Sequence, residues 1–216
     1  MKYSQRRKRR RVYRQTARAD SAEATSRRIA EAFEQCVRDR WFDEVTLDEV
    51  ARRAGVTVRT VVRKFGSKAG LVAGFLEYVA PRIRDQRKTD PGDIDGAIDR
   101  VLALYEEIGD SVIRNLAQES RHDALKELLD GGRRGHREIT AETFSPLLER
   151  LDSKDRRRAI DALIVATDVY TWKLLRRDMG HSLGETKAAM RLLIDGVLER
   201  SRAKSGGISG GLERST

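Results

Sequence analysis

The sequence predicts an all-α chain. Proline stands at only three positions, 81, 91 and 146, and apolar residues recur at helical spacing along almost the whole length. One segment argues otherwise: AGVTVRTVVRKF, Ala54 to Phe65, is rich in β-branched residues. As a strand it would place Val56, Val58, Thr60 and Val62 on one face, and the other face would mix Val61 and Phe65 with Arg59 and Arg63. As a helix it gathers Val58, Val61, Val62 and Phe65 into one apolar stripe and leaves Arg59, Thr60, Arg63 and Lys64 on the other side. The helical reading is the consistent one.

A first helix is expected from about Ser21 to Arg40, with Ile29, Phe33 and Val37 four apart and Ala32 and Cys36 beside them. TLDE then supplies Thr46 as N-cap and Glu49 as its reciprocal partner, a capping box that opens a second helix. Gly55 ends it by offering the left-handed conformation. Thr57 caps the third helix, Phe65-Gly66 closes it, and Ser67 caps a fourth through Leu71, Phe75 and Val79 to about Arg84. The polar run RKTDPGD, Arg87 to Asp93, stops helices and marks a domain boundary. Beyond it, helices are expected over Ile94 to Ile108, Ser111 to Glu119, Asp123 to Leu129, Arg137 to Leu151, Lys154 to Arg177 and Leu183 to Arg202. Pro146 either kinks the fourth of these or starts a new helix capped by Ser145. GGRRG at 131–135 reads as a flexible interruption, and the glycine- and serine-rich end as a flexible tail. The organisation is therefore a basic arm (1–20), a small helical domain (21–86), a larger helical domain (94–203) and a tail (204–216).

The 216 residues carry 44 Lys and Arg against 34 Asp and Glu. The excess is local. Lys2, Arg6, Arg7, Lys8, Arg9, Arg10, Arg11, Arg14 and Arg18 precede the first acid, and without these nine the balance is 35 to 34. Such an arm cannot bury enough apolar surface to fold alone, so it is expected to be disordered until it meets an anionic surface, either nucleic acid or acidic membrane. No apolar stretch after the basic run resembles a secretory signal and no segment approaches a membrane span, so the expectation is a soluble, cytoplasmic protein. Cys36, the single cysteine, excludes an intrachain disulfide and a multi-thiolate zinc site, and it reads as a core residue. No metal and no cofactor are expected. An enzyme would need converging reactive groups: His122, His136 and His181 are far apart, HREIT lacks the second His of a zinc-protease helix, and GGRRG lacks the Lys-Ser/Thr of a phosphate loop. These read as surface or turn features.

Ala51, Gly55 and Val61 stand in the order Ala-x3-Gly-x5-Val of a helix-turn-helix. Ala51 lets two helices cross closely, Gly55 turns the chain, and Val61 fills the wedge with Val50 and Val58. Arg59, Thr60, Arg63 and Lys64 must then face outward, where a major groove would meet them. On spacing alone, a plain helical bundle with a solvated basic face accounts for the pattern equally well. The wider window decides it. Residues 27–79 resemble the DNA-binding domain of the tetracycline-repressor (TetR) family, through Ile29, Ala32, Phe33, Val45-Thr46-Leu47, Val50-Ala51, the AGVTV turn, Thr60, and FGSK with Leu71. Tyr170 to Leu198 also looks like the last two helices of many members. The resemblance implies a three-helix helix-turn-helix domain followed by a helical ligand-binding and dimerisation domain. Its expected contacts to double-stranded DNA are Thr46, Thr57, Val58, Arg59, Thr60, Arg63, Lys64 and Lys68. Where the family usually has Gly-Thr-Leu-Tyr-x-His-Phe, this chain has Arg59, Val62 and Lys64 at the Gly, Tyr and His positions, so charge replaces the phenol contact. Trp41 and Phe42 read as core or interdomain packing.

In Lys154 to Arg177 one stripe holds Ile160, Leu163, Ile164, Thr167, Tyr170 and Leu174, and a second holds Val165, Val169, Trp172 and Leu175. The last helix is similarly two-sided through Ala189, Met190, Leu193, Ile194, Val197 and Leu198. Two such helices from each of two chains would close a four-helix interface, and the resemblance implies the same homodimer. It further implies a palindromic operator, a repressor, and an unidentified small-molecule effector whose pocket Tyr105, Phe144 and Trp172 would wall. The alternatives are an architectural protein that binds DNA irrespective of sequence, and an all-α interaction protein that never touches it.

Overall fold

The computed structural model describes the backbone of residues 2–207 and the side chains of residues 20–203; Met1 and 208–216, the greater part of the tail expected over 204–216, lie outside the described residues, and the arm expected over 1–20 is described from Lys2 onward as helical backbone alone. Among the described residues every regular element is helical. The chain divides into two compact units, residues 1–78 and 79–216.

The first unit is built by α1 (Lys2–Asp39), a 3-10 turn (Phe42–Glu44), α2 (Leu47–Ala54), α3 (Val58–Phe65) and the start of α4 (Lys68–Arg87). The caps fall where local chemistry puts them. Thr46 accepts from the Glu49 amide at 3.2 Å, Thr57 from the Thr60 amide at 3.2 Å, and Ser67 from the Gly70 amide at 3.2 Å. Gly55 (φ 64°) and Gly66 (φ 76°) end α2 and α3 in the region that disfavours a Cβ. Ile29, Phe33 and Cys36 of α1 are fully buried with Val50, Val61 and Leu71, and Phe33 meets Phe75 edge-on with ring centroids 5.3 Å apart. Each large side chain in such a core contributes about 1.5–3 kcal/mol. Burial pushes the Cys36 thiol up, consistent with a packed, unreactive sulfur. The Trp41-Phe42 pair splits: Phe42 is buried and Trp41 exposed.

The second unit contains α5 (Ile94–Leu116), α6 (Asp123–Phe144), a 3-10 turn (Ser145–Leu148), α7 (Ser153–Ala166), α8 (Val169–Lys173), a π-helical turn (Leu174–Asp178) and α9 (Leu183–Gly207). Three expectations need correction. The two helices expected over 94–119 are one, α5, because Gly109 is no break but the seat of Trp172. GGRRG does not interrupt α6. Arg133 clamps it through Glu119, 2.6 and 2.5 Å, and through Asp130 at 2.8 Å, offsetting a glycine penalty of about 1 kcal/mol each. The single helix expected over 154–177 breaks at Thr167, where the Asp168 side chain accepts from the Tyr170 amide at 2.9 Å and starts α8. Pro146 opens a separate 3-10 turn. The core gathers Ile98, Val101, Leu163, Trp172, Met190 and Ile194, all buried. Val165, Tyr170, Leu174, Leu192 and Leu193 are large apolar side chains left exposed.

Candidate nucleic-acid interface

α3 is held by two anchors. Val61 is fully buried. Phe65 lies across α4, and only glycine admits it: a Cβ on Gly74 would stand 2.6 Å from Phe65 Cε1, and one on Gly70 would stand 1.9 Å from the Phe65 carbonyl oxygen. Val58 is half-buried beside them. Val62, expected in the same stripe, is 42% exposed. With about 100° between successive residues, a helix that centres Val61 on the core carries Val62 to its flank, and Arg59, Val62 and Arg63 share the outward surface. Arg59 and Arg63 are exposed, and among the described residues neither enters an ion pair.

The other two cations behave differently. Lys64 donates to the Ala22 carbonyl at 2.6 Å and to Ser26 Oγ at 3.0 Å, fastening α3 to α1. Lys68 donates to the Phe42 carbonyl, and its ammonium stands 4.1 Å from the centroid of that ring. Burial lowers its pKa. Thr46 and Thr57 are committed as caps, and Thr57 Oγ1 and Thr60 Oγ1 are 3.0 Å apart. On the α1–α2 side, Arg53 bridges Asp39 at 2.7 Å and Glu49 at 3.0 Å. The structure thus sorts the expected contacts into an outward pair of guanidinium groups and an inward set that sets their pose. Sequence reasoning missed that split, since Lys64 finds its partners 42 and 38 residues away.

Tyr105, Phe144 and Trp172 all belong to the core of the second unit. Trp172 is fully buried, its Nε1–H donates to Glu106 at 2.8 Å, and the Arg177 guanidinium sits 4.5 Å from its ring centroid. Glu106 also takes a two-pronged bond from Arg176, 2.8 and 2.9 Å, and that guanidinium with the indole N–H holds its pKa at about 2. The Tyr105 hydroxyl donates to the Thr167 carbonyl at 3.3 Å, and burial raises its pKa. His136, expected at the surface, instead faces Arg87, whose guanidinium lies 2.6 Å from Nδ1. Arg87, assigned by sequence to the interdomain break, ends α4 and is buried. No group of three or more metal-ligating side chains occurs among the described residues, and none of their helices is long and apolar enough to cross a membrane.

Two short helices joined by a left-handed glycine, the second seated by Val61 and Phe65 with arginines outward, define a helix-turn-helix unit of the kind found in DNA-binding regulators. Residues 29–74 match the family described as bacterial regulatory proteins, tetR family. That match spans the helix-turn-helix region of the first unit. It is 33% identical over 94 residues to an uncharacterised HTH-type transcriptional regulator of Mycobacterium tuberculosis, covering 43% of this chain and 49% of that one. It therefore spans about half the length of the curated relatives it matches. A transcriptional regulator from Rhodococcus sp. RHA1 superposes with a TM-score of 0.63 at 18% identity, over 81% of this chain and 96% of the other. A TetR-family transcriptional regulator from Mesorhizobium loti does so with 0.59 at 16%, over 82% and 96%. At these identities the likeness establishes the all-α fold.

Proposed function

We propose that the chain is a sequence-specific transcriptional regulator that binds a palindromic operator in double-stranded DNA as a homodimer and is released from it by a small-molecule effector. The observation that carries this reading is the exposure of Arg59 and Arg63, without ion pairs among the described residues, on a helix fixed by its cap and two apolar anchors. Arg59 near the start of α3 reads guanine through its two-pronged N–H face, and the Val62 methyls meet a thymine methyl. Arg63 takes phosphate. Thr46 and Thr57 mark helix N-termini whose free amides favour backbone phosphates. Lys64 and Lys68 contribute by positioning α3. For the dimer, the support is the apolar surface of Val165, Tyr170 and Leu174 together with Leu192 and Leu193, which a two-fold axis would bury in a four-helix interface. The protein acts where DNA is, in the cytoplasm of a bacterium, as a repressor.

Selection of bound sites from random duplex DNA, followed by Arg59→Ala, tests the reading. A two-fold symmetric motif is expected, and the variant loses preference at one base pair per half-site, about 1–3 kcal/mol each, while retaining weak binding. A motif unchanged by the substitution removes Arg59 from base reading. Salt-dependent binding that selects no motif favours an architectural protein, and no binding at low salt ends the proposal.

A further inference from the structure

The second unit contains a cation that packing does not explain. Arg87 is only 8% exposed, and among the described residues no carboxylate pairs with its guanidinium. Its hydrogen-bond partner is His136 Nδ1 at 2.6 Å. A guanidinium only donates, so Nδ1 must present its lone pair, and the ring is the neutral tautomer with its proton on Nε2. That atom faces the Ile164 carbonyl at 3.3 Å and Thr167 Oγ1 at 3.4 Å. Burial and the neighbouring guanidinium hold the imidazole at a pKa of about 4, in keeping with this assignment. The negative charge acting on Arg87 is Asp168, whose carboxylate is engaged by the Tyr170 amide and whose own pKa burial raises; Arg133 acts on it as well. A desolvated cation that makes no ion pair is unfavourable, and an arriving anion offsets that cost.

Two further features gather at the same place. The backbone breaks at Thr167 between α7 and α8, and Thr167 receives the Tyr105 hydroxyl on its carbonyl. On α6, Thr140 stands one turn beyond His136 and is buried with no hydrogen-bond partner for its hydroxyl, where a helical threonine ordinarily bonds the carbonyl four residues back. Phe144 follows one turn later, so this face of α6 runs from imidazole through an unanswered hydroxyl to a phenyl ring in the apolar core. The sequence of chemistry is charged, polar, apolar. One guanidinium beside a neutral imidazole balances a single negative charge, whereas a phosphate dianion would leave excess charge buried.

We propose that Arg87 and His136 receive the carboxylate of a small, otherwise apolar organic acid, with Thr140 as a further donor and the Phe144 side of the core around the acid's apolar body. This rests on the reading of the chain as a ligand-released regulator, and it assigns that ligand its chemical class. The carboxylate takes N–H groups of Arg87 that His136 does not use. The carboxylate changes the field and the hydrogen bonding around the neutral ring, so the His136 resonances report its arrival. Arg87 also terminates the helix whose Gly70 and Gly74 receive Phe65, so the acid acts on the far end of an element that seats α3.

The test uses the full chain with acetate, benzoate and octanoate at matched ionic strength, each against its neutral amide. Two signals are read: the melting temperature and the His136 imidazole resonances. At least one acid is expected to raise the melting temperature and move the His136 resonances at millimolar concentration, while its amide does neither. Arg87→Gln should weaken that response at least tenfold and leave selected-site DNA binding without acid unchanged. If Arg87→Gln does not fold, Thr140→Val carries the test and should weaken acid binding several-fold without altering the imidazole titration of the free protein. No response to any of the three acids, equal response to acid and amide, or full response in the variants overturns the proposal. DNA binding in the absence of acid is scored separately: its loss would sink the regulator reading alone. Acid binding that leaves DNA affinity untouched would keep the carboxylate site and overturn its role as the effector site.

Discussion

Gly109→Ala puts a methyl group against the largest fully buried side chain of the protein. A Cβ at that position would lie 2.5, 2.6 and 2.9 Å from Cζ3, Cη2 and Cε3 of Trp172. All three belong to the six-membered ring, and the indole has little freedom to retreat: Nε1 is bonded to Glu106 and Arg177 covers its face. Overpacking of this kind costs about 1–3 kcal/mol. Replacing a helical glycine by alanine returns up to about 1 kcal/mol. The net expectation is a loss of about 1–2 kcal/mol, or roughly 2–8 °C in Tm for a chain of this size. Chemical denaturation of Gly109→Ala, Trp172→Phe and the double variant provides the assay, because the smaller ring vacates the colliding volume. The double variant should be more stable than the sum of the single effects predicts, by about 1–2 kcal/mol. A neutral or stabilising Gly109→Ala would refute this reasoning. It would mean that the indole moves aside easily, as the wall of an adaptable ligand pocket would and a packed core residue would not.

Neighbouring valines on α3 should respond in opposite ways. Val61→Ala removes two buried methyls and should cost about 2–3 kcal/mol by denaturation. Val62→Ala should stay within about 0.5 kcal/mol while altering the selected DNA motif. Leu192→Asp, at a side chain 73% exposed, should leave the folded monomer intact and abolish dimerisation in analytical ultracentrifugation; an unchanged sedimentation coefficient would place the interface elsewhere. Stability should fall in two pH windows. His136 is held near pKa 4, below its ordinary 6.5, so the unfolded chain binds its proton first and stability present above pH 6.5 is lost toward pH 4, at most about 3 kcal/mol. Glu106 is held near 2, below 4.5, so its contribution is lost only between pH 4.5 and 2; its carboxylate is partly exposed, which trims the loss to about 1–2 kcal/mol. His136→Gln should flatten the upper window and spare the lower.

What the sequence made legible was what neighbours in the chain decide. Thr46, Gly55, Thr57 and Gly66 place the ends of α2 and α3 because a cap or a left-handed turn is settled within four residues. Val62 was misplaced because a stripe at i, i+3, i+4 and i+7 gives an apolar side but not its centre. The centre is set by Gly74, which receives Phe65 and leaves Val62 at the margin. α6 was cut at GGRRG because propensity saw the glycines and could not see Glu119, fourteen residues from Arg133. The break at Thr167 has no proline or glycine to announce it, although Asp168 ahead of VYTW is a usable N-cap signal. Arg87 and His136 are 49 residues apart, one beside a polar linker and one beside a glycine run, so neither carried a sign of burial.

Charge counting is where sequence and structure differ most in consequence. The helix-turn-helix region is rich in cations, yet Arg53, Lys64 and Lys68 are committed to Asp39 and Glu49, to α1 and to Phe42. Among the described residues Arg59 and Arg63 enter no ion pair, and on the proposed reading they are the α3 cations left to meet DNA, two in each protomer of the proposed dimer. Each neutralised phosphate contributes about −0.9 to the slope of log affinity against log salt, so a dimer using only these four guanidinium groups has a slope of about −4. The nine bases of residues 1–18 would add to it wherever they meet phosphate. A chain beginning at Asp20 keeps Ala22 and Ser26, and with them the seat of Lys64. It should therefore retain the selected motif with a slope near −4, against a markedly steeper value for the full chain. Equal slopes would show that the arm touches no phosphate. A lost motif would show that base reading extends beyond α3, into the arm.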